Sequence, residues 1–277
     1  TKTVLEYFRE EPPAGRTPNP CVRCHQRMKS GFLIEQARAQ GAEFDKFATG
    51  HYARTRFDEA SGRWQLLRGK DAGKDQSYFL SRLKQEQLAD LIFPLGELRK
   101  GEVKELAREL GWGDLAEKDE SQDFIECDDY SVLFRKGDAK PGDFVARDGK
   151  VLGRHRGIIH YTIGQRKGLE LGGGGTPLYV LEIDAARNRV VVGPREELYS
   201  RTLAAGDLNW VGWAAAPAEP FRCQVQIRQR HQAAPATVSA GNGRLLAVFD
   251  EPQLSVTPGQ IAVFYDGDVV LASGAIE

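Results

Sequence analysis

The period of the hydrophobic pattern changes near residue 133, and this change constrains the fold more than any other feature of the chain. Upstream of it, the helical periods of LKQEQLADLIF and GEVKELARELGWG alternate with short apolar stretches such as AEFDKFATGHY, which predicts a strand running into a loop. Strand–helix alternation of this kind is typical of an α/β layer. We therefore predict an α/β region over residues 1–133.

Downstream of this change the chain consists of short strand-like segments. FVARDGKVLG and LYVLEIDAARNRVVVG each place two apolar runs around a turn, which predicts two β-hairpins within residues 134–200. From about residue 201, RCQVQIRQRH, LLAVFD, LSVT, IAVFYDG and VVLAS follow one another at short intervals. This spacing indicates a small β-barrel or sandwich over residues 201–277.

The composition fits a globular protein of two or three domains. The 277 residues are 41% hydrophobic and 28% charged, and no apolar run approaches the roughly 18 residues that span a bilayer. The first residues, TKTVLEYFREEPPAGR, lack the apolar core of a signal peptide and begin without Met. We therefore expect a cytoplasmic protein with no membrane partner and with further residues upstream. The net charge of −1 neither demands nor excludes a nucleic-acid partner.

Two predicted helices have a definite apolar face. In SGFLIEQARAQG, Leu33 and Ala37 share one face, and Gly41 is placed to end the helix. The helix of GEVKELARELG stops at Gly111, and its apolar face consists of Val103, Leu106, Ala107 and Leu110. Apolar residues at this spacing are typical of an amphipathic helix that packs on a core.

TPNPCVRCHQ is the most specific local feature. Pro18 and Pro20 fix φ around Asn19 and keep that residue out of a helix, so Cys21 and Cys24 come near the start of the following helix. The chain has four cysteines, too few for a disulfide framework in 277 residues. In a chain without an export signal, a close CxxC pair indicates catalysis or metal binding.

From the residues alone, four interpretations of this pair stay open. Both thiols can simply be buried, as free cysteines often are. CVRCH matches the CxxCH signature of haem attachment, but nothing else in the chain indicates export or a haem pocket. A structural zinc site needs four ligands, usually in two close pairs, whereas Cys127 and Cys223 are single and far apart. We favour a pair that handles sulfur or binds an iron–sulfur cluster.

Three further segments carry polar residues suited to ligand binding. ATGHYAR places Gly50 and His51 just after a predicted strand, at the edge where ligands bind in open α/β sheets, although a turn glycine and a solvent-facing histidine explain them equally well. GKDQSYFL sets residues 74–76 beside an apolar run, where they could contact phosphate and a base edge, or simply form a solvated helix start. HYTIGQRKGL offers Arg166 and Lys167 for contact with an RNA backbone, although this motif alone is not specific.

Together these segments resemble one family. TPNPCVRC, ATGHYAR, KDQSYFL, ESQDFI, HYTIGQRKGL and VTPGQIAVFYDGD occur in the order and spacing of tRNA-specific 2-thiouridylases, over essentially the whole chain. The resemblance implies a partial pyrophosphatase-type nucleotide-binding domain at 1–133, a small central domain at 134–200 and a β-barrel domain at 201–277. It also implies an enzyme that uses ATP with Mg²⁺ to adenylate the wobble uridine of tRNA. Sulfur would then come from a donor such as a cysteine desulfurase or a sulfur-relay protein.

The resemblance assigns roles to individual residues. Cys24 matches the family's first catalytic cysteine, and Gly50 matches a glycine that contacts the nucleotide. The expected tRNA contacts are His51, Lys74, Asp75, Gln76, Arg228, Gln229 and Gln260.

The chain departs from the family pattern in three places. The SGGxDS phosphate-binding loop is absent, and GGGGT at 172–176 does not replace it, so we expect that loop upstream of Thr1. SQDFIECDDY lacks the family's second catalytic cysteine at its usual place and has Cys127 a few positions further on. Cys21 stands where many members of the family have Asp.

These departures leave two routes for sulfur. In the first, Cys24 and Cys127 carry a persulfide and resolve it as a disulfide, which requires the two thiols to meet. In the second, Cys21, Cys24 and Cys127 bind a [4Fe–4S] cluster whose open iron binds the donated sulfide. A protein that binds tRNA without its own catalysis is the remaining alternative, because the phosphate-binding loop is absent from this chain.

Overall fold

A computed structural model describes residues 2–117, 133–134, 137–171 and 175–277. Cys127 and the SQDFIE segment lie outside the described residues, so the predictions that rest on them stay predictions.

Apart from short 3₁₀ turns, the helices of the described residues lie in the first 117. They are α1 (Lys2–Glu10), α2 (Pro20–Cys24), α3 (Leu33–Ala39), α4 (Ser77–Leu80), α5 (Gln85–Asp90), α6 (Lys100–Glu109) and α7 (Gly113–Glu117). A π-helix, His25–Phe32, joins α2 to α3, so residues 20–39 form one continuous helical segment. No helix in the described ranges is long and apolar enough to cross a membrane.

The α/β region contains a small parallel sheet. Strand β1 (Phe47–Ala48) pairs in parallel with β4 (Leu91–Ile92). The strand predicted within AEFDKFATGHY is thereby confirmed. The helix predicted over LKQEQLADLIF is wrong at its end: it stops at Asp90, because the next two residues extend to pair with β1.

A hairpin that the sequence analysis missed follows β1. Strands β2 (Ala53–Asp58) and β3 (Arg63–Arg68) pair antiparallel over six residues each. Through the pairing of Leu67 with Val269, this hairpin joins the sheet formed by the C-terminal strands.

Residues 142–193 form a separate four-stranded sheet. Its strands are β5 (Gly142–Val145), β6 (Val151–His155), β7 (Tyr179–Asp184) and β8 (Arg189–Gly193), in the spatial order β6-β5-β8-β7. Both predicted hairpins are confirmed, and β5 and β8 lie parallel between them. Phe144, Val180 and Val190 form the centre of its core.

The C-terminal strands close into a barrel. They are β9 (Tyr199–Trp210), β10 (Phe221–Gln226), β11 (Ala234–Gly241), β12 (Arg244–Leu254), β13 (Ile261–Asp266) and β14 (Val269–Ile276). Six strands close because β13 pairs with both β10 and β14, so the predicted β-barrel is confirmed. Alternate residues of β11 and β12 are buried, as a barrel requires. LSVT is not a strand of its own: Leu254 ends β12, and Ser255 has a φ of +57°.

The apolar faces predicted for two helices need correction. Leu33 is 50% exposed, and its neighbour Ile34 is buried instead, because the wider turn of the π-helix rotates the start of α3. α6 buries none of its residues among the described part of the chain, and Leu106 and Leu110 are exposed. The predicted apolar face is therefore only partly covered, with Val103 and Ala107 half-buried.

Candidate active site

The paired cysteines lie where the sequence predicts them, at the start of a helix. Asn19 caps α2, since its Oδ1 accepts a hydrogen bond from Val22 N at 3.3 Å, and Pro20 follows at the first helical position. Cys21 and Cys24 are both partly exposed. Residues three apart share a helix face, so the two thiols lie on one side of this turn.

The helix after the cysteines is widened over eight residues. In this π-helix, Leu33 N bonds Met28 O, five residues back. The side-chain amide of Gln87 donates to Gln26 O at 2.7 Å and to Ser30 O at 2.9 Å. It thus supplies donors to carbonyls of the irregular turn. π-helices are rare and frequently mark functional sites.

A histidine pair joins the cysteine helix, the continuous helical segment of residues 20–39, to the ATGHY turn at residues 48–52. His25 Nε2 lies 2.7 Å from His51 Nε2, His25 Nδ1 lies 2.6 Å from Cys21 O, and His51 Nδ1 lies 2.8 Å from Thr49 Oγ1. A carbonyl only accepts, so His25 Nδ1 carries the proton and neutral His25 accepts at Nε2. His51 then donates from Nε2 and accepts from the Thr49 hydroxyl. Each hydrogen bond is therefore donated in the same direction, from the Thr49 hydroxyl through His51 and His25 to Cys21 O.

Burial keeps both imidazoles neutral. Desolvation, with a smaller contribution from the nearby Lys29, lowers the pKa of His25 to about 4 and that of His51 to about 3. His51 was expected to contact tRNA, yet both of its ring nitrogens have protein partners here. His25 was not predicted as a site residue. It follows Cys21 by four residues in a predicted helix, which places both on one helix face, and this spacing was the available signal.

Several predicted site residues line one cavity of about 590 Å³. These are Gly50, Lys74, Asp75, Gln76 and Gln229, which come from the ATGHY turn, the KDQ turn and the loop after β10. The structure therefore brings together segments that are separated by more than 150 positions in the chain.

Hydrogen bonds hold Asp75 and Gln76 of the KDQ turn in place. Asp75 Oδ1 accepts from Gly69 N and Ser77 N, both at 3.0 Å, and Oδ2 accepts from Ser77 Oγ at 2.9 Å and Arg68 at 3.2 Å. Gln76 Oε1 accepts from Tyr52 N at 2.9 Å. The Asp75 carboxylate thus fixes the turn, and its charge is balanced by Arg68.

Seven lining residues were not predicted as site residues. They are Tyr52, Gly73, Phe79, Leu95, Lys100, Val103 and Arg230. Phe79 also stacks on His25, with ring centroids 6.0 Å apart and planes at 22°. This ring therefore connects the cavity to the cysteine helix. No sequence signal distinguishes these residues, because they are neighbours only in the folded chain.

Other predicted residues do not line the cavity. Arg228 donates to Leu254 O at 2.9 Å, and Gln260 contacts the segment before the cysteines. Cys223 is buried in β10, and burial raises its pKa to about 12. In the described ranges no three His, Cys, Asp or Glu side chains are grouped to hold a metal. The third proposed cluster ligand, Cys127, lies outside those ranges.

Three family models match consecutive parts of the chain. The tRNA methyl transferase HUP domain matches residues 1–127, the tRNA methyl transferase PRC-barrel domain matches residues 131–194, and the aminomethyltransferase beta-barrel domain matches residues 200–276.

Curated relatives are similar over nearly the whole chain. The tRNA-specific 2-thiouridylase MnmA of Nostoc punctiforme is 46% identical over 279 residues, which cover 99% of this chain and 78% of the relative. The MnmA of Geotalea uraniireducens is 48% identical over 280 residues, covering 99% and 73%. That of Endomicrobium trichonymphae is 44% identical over 277 residues, covering 99% and 76%. With this identity and coverage, the chain belongs to the tRNA-specific 2-thiouridylase family.

Proposed function

We propose that this protein is a tRNA-uridine 2-sulfurtransferase that places sulfur on the wobble uridine. One observation carries the proposal beyond family membership: the cavity lined by Lys74–Gln76 and Gln229 connects through Phe79 and His25 to the helix that holds Cys24. RNA bound in the cavity would thereby contact a ring that stacks on the residue next to Cys24. Lys74, Lys100 and Arg230 bring positive charge to this cavity, and Tyr52 and Phe79 bring aromatic surface. Phosphates and unstacked bases bind to such surfaces.

ATP with Mg²⁺ is the proposed activating cofactor, and adenylation of the uridine oxygen is the chemistry that it would supply. A HUP-domain match over residues 1–127 fits nucleotide binding. Gly50 fits a nucleotide contact, because among the described residues a Cβ added there would meet only Leu95, at 3.7 Å. The space above the Gly50 backbone is therefore open to a ligand. We propose no protein ligand for Mg²⁺.

For the sulfur step we propose Cys24 as the thiol that takes part directly. In the persulfide route, the terminal sulfur bonds to C2 of the activated uridine and AMP leaves. The thiolate of the partner residue, proposed to be Cys127, then attacks the Cys24 sulfur. The S–S bond of the persulfide breaks, its outer sulfur stays on C2 of the uridine with the electron pair, and a Cys24–Cys127 disulfide forms, which an external thiol reduces afterwards. A cysteine desulfurase or sulfur-relay protein is the proposed donor of the terminal sulfur.

The cluster route makes a different prediction. Cys21 and Cys24 share one face of α2, which suits two ligands of a [4Fe–4S] cluster, and Cys127 would be the third. If this route holds, anaerobic reconstitution with iron and sulfide gives a brown protein, and Cys21→Ala and Cys127→Ala lose both colour and activity. If the persulfide route holds, Cys21→Ala stays active. A colourless, iron-free protein that still thiolates tRNA would rule the cluster out.

Binding of tRNA should depend strongly on salt. Because the cavity contacts are proposed to be largely phosphate contacts, we expect the affinity to fall steeply from low to physiological salt in a filter-binding assay. Lys74→Ala and Arg230→Ala should each weaken binding about 3- to 10-fold and make the logarithmic salt slope shallower by about one.

Arg187→Ala is the matched control for this test. Arg187 is exposed, pairs with Asp184 at the turn between β7 and β8, and does not line the cavity. Its loss should leave both affinity and slope unchanged. Equal affinity for tRNA and for an unrelated acidic polymer would contradict the proposed substrate.

A tRNA-binding protein without catalysis is the alternative from another class. Membership in the 2-thiouridylase family does not favour it. Such a protein would pass the salt test and yet leave the sulfur content of its tRNA unchanged.

A further inference from the structure

The segment that precedes the cysteine helix cannot satisfy its own backbone. Thr17 and Pro18 lie outside helices and strands, and Pro18 and Pro20 have no N–H to donate. The carbonyl groups of residues 17 and 18 therefore need donors from elsewhere in the fold. A side chain that supplies these donors can orient the segment that leads into α2.

Gln260 of the β-barrel supplies them. Its Nε2 lies 3.2 Å from Thr17 O and 3.2 Å from Pro18 O, and its Oε1 accepts from Asn19 Nδ2 at 3.4 Å. The other end of the Asn19 amide caps Val22 N. One side chain therefore contacts three consecutive residues and orients the cap of the cysteine helix.

The barrel turn around Gln260 is shaped for this contact. Thr17 N donates to Pro258 O at 2.8 Å, so the two segments also pair through their backbones. Gly259 has a φ of +87°, and a Cβ there would lie 2.8 Å from Thr17 O. Only glycine permits this close approach. The connection between β6 and β7 adds a further contact, since Thr162 Oγ1 lies 2.9 Å from Thr17 Oγ1.

We infer that Gln260 is a positioning residue for Cys21 and Cys24, through which the β-barrel sets the geometry of the thiols. The inference rests on the proposed function for its catalytic consequence. It differs from the direct tRNA contact that the family resemblance implies for Gln260, because here both ends of the amide are occupied by residues 17–19. The two roles have different signatures: a positioning residue acts on thiol reactivity and kcat, whereas an RNA contact acts on Kd.

The test is the alkylation rate of each cysteine in the RNA-free, full-length protein. Trypsin cleaves after Arg23, so Cys21 and Cys24 fall in separate peptides, and iodoacetamide labelling of each can be followed by mass spectrometry. Gln260→Glu is nearly isosteric, but its carboxylate cannot donate to two carbonyls. We expect it to change the labelling rate of at least one of the two thiols about 3-fold or more, because the cap opens more often.

The activity readout separates the two roles. Gln260→Glu should lower kcat about 10-fold, with the Kd for tRNA within about 2-fold of wild type. Gln229→Ala is the matched control: it removes another barrel glutamine, one that lines the cavity, and should raise Kd without changing the labelling of either thiol. If Gln260→Glu does not fold, Gln260→Asn, which keeps the amide but is one methylene shorter, is measured in the same way.

Two outcomes would overturn the inference. One is a labelling rate of both thiols that equals wild type in the Gln260 variant. The other is a several-fold loss of tRNA affinity with kcat unchanged, which would assign Gln260 to direct RNA contact. If the wild-type protein does not thiolate tRNA, the proposed function fails, but the labelling comparison still decides the positioning role.

Discussion

Replacing Cys24 by serine should lower the thiolation rate by about three orders of magnitude or more, as expected for loss of a residue that takes part covalently. A hydroxyl cannot carry a persulfide or act as a soft cluster ligand, so both sulfur routes lose the same atom. Binding of tRNA should stay near wild type, because Cys24 does not line the cavity. Single-turnover thiolation assays and filter binding measure the two effects separately.

Cys223→Ala is the control for this variant. Cys223 is buried in β10, with a raised pKa, in the core of the barrel. Its replacement should cost only about 1 kcal/mol of stability and leave activity intact. A well-folded but inactive Cys223→Ala protein would contradict the assignment of the cysteines.

The free energy of unfolding should fall by about 2–4 kcal/mol between pH 7 and pH 5 through the His25–His51 pair alone. In the folded protein the pKa values of these residues are lowered to about 4 and about 3, whereas an unfolded histidine titrates near 6.5. Below about pH 6.5 the unfolded chain therefore binds protons that the folded chain excludes. Stability is present above this pH and is lost as the pH falls towards about 4. Urea denaturation at both pH values measures the loss.

Variants isolate the contribution of the pair. His155 and His231 also have lowered pKa values, so acid sensitivity as such is not diagnostic. The double variant His25→Gln with His51→Gln keeps hydrogen-bonding amides but cannot take up protons. It should be less stable than wild type at pH 7 and lose about 2–4 kcal/mol less on going to pH 5. A double variant with the full acid sensitivity of wild type would show that the two histidines do not titrate as described.

The elements that could be predicted from the sequence are those whose signals are local. Pro18, Asn19 and Pro20 predict a helix start from local residue types alone, and the cysteines follow it as predicted. The hairpins around Asp148–Gly149 and Asn188 likewise depend on turn residues alone, and the structure confirms both.

The remaining features depend on tertiary packing, which single-sequence patterns do not record. Leu91 and Ile92 continue a helical period, but pairing with β1 draws them into a strand. The π-helix changes which residue of α3 faces the core, and Ile34 is buried in place of Leu33. His25 has no partner in the local sequence, since His51 comes beside it only after folding.

The most direct measurement is the sulfur content of tRNA in cells that lack their own 2-thiouridylase and express this protein in full length. Digestion of purified tRNA to nucleosides, followed by mass spectrometry, reports 2-thiouridine derivatives at the wobble position. We expect these nucleosides with the wild-type protein and none with Cys24→Ser. Wobble uridines that stay unthiolated, with well-expressed protein that binds tRNA, would contradict the account and indicate a binding protein without catalysis.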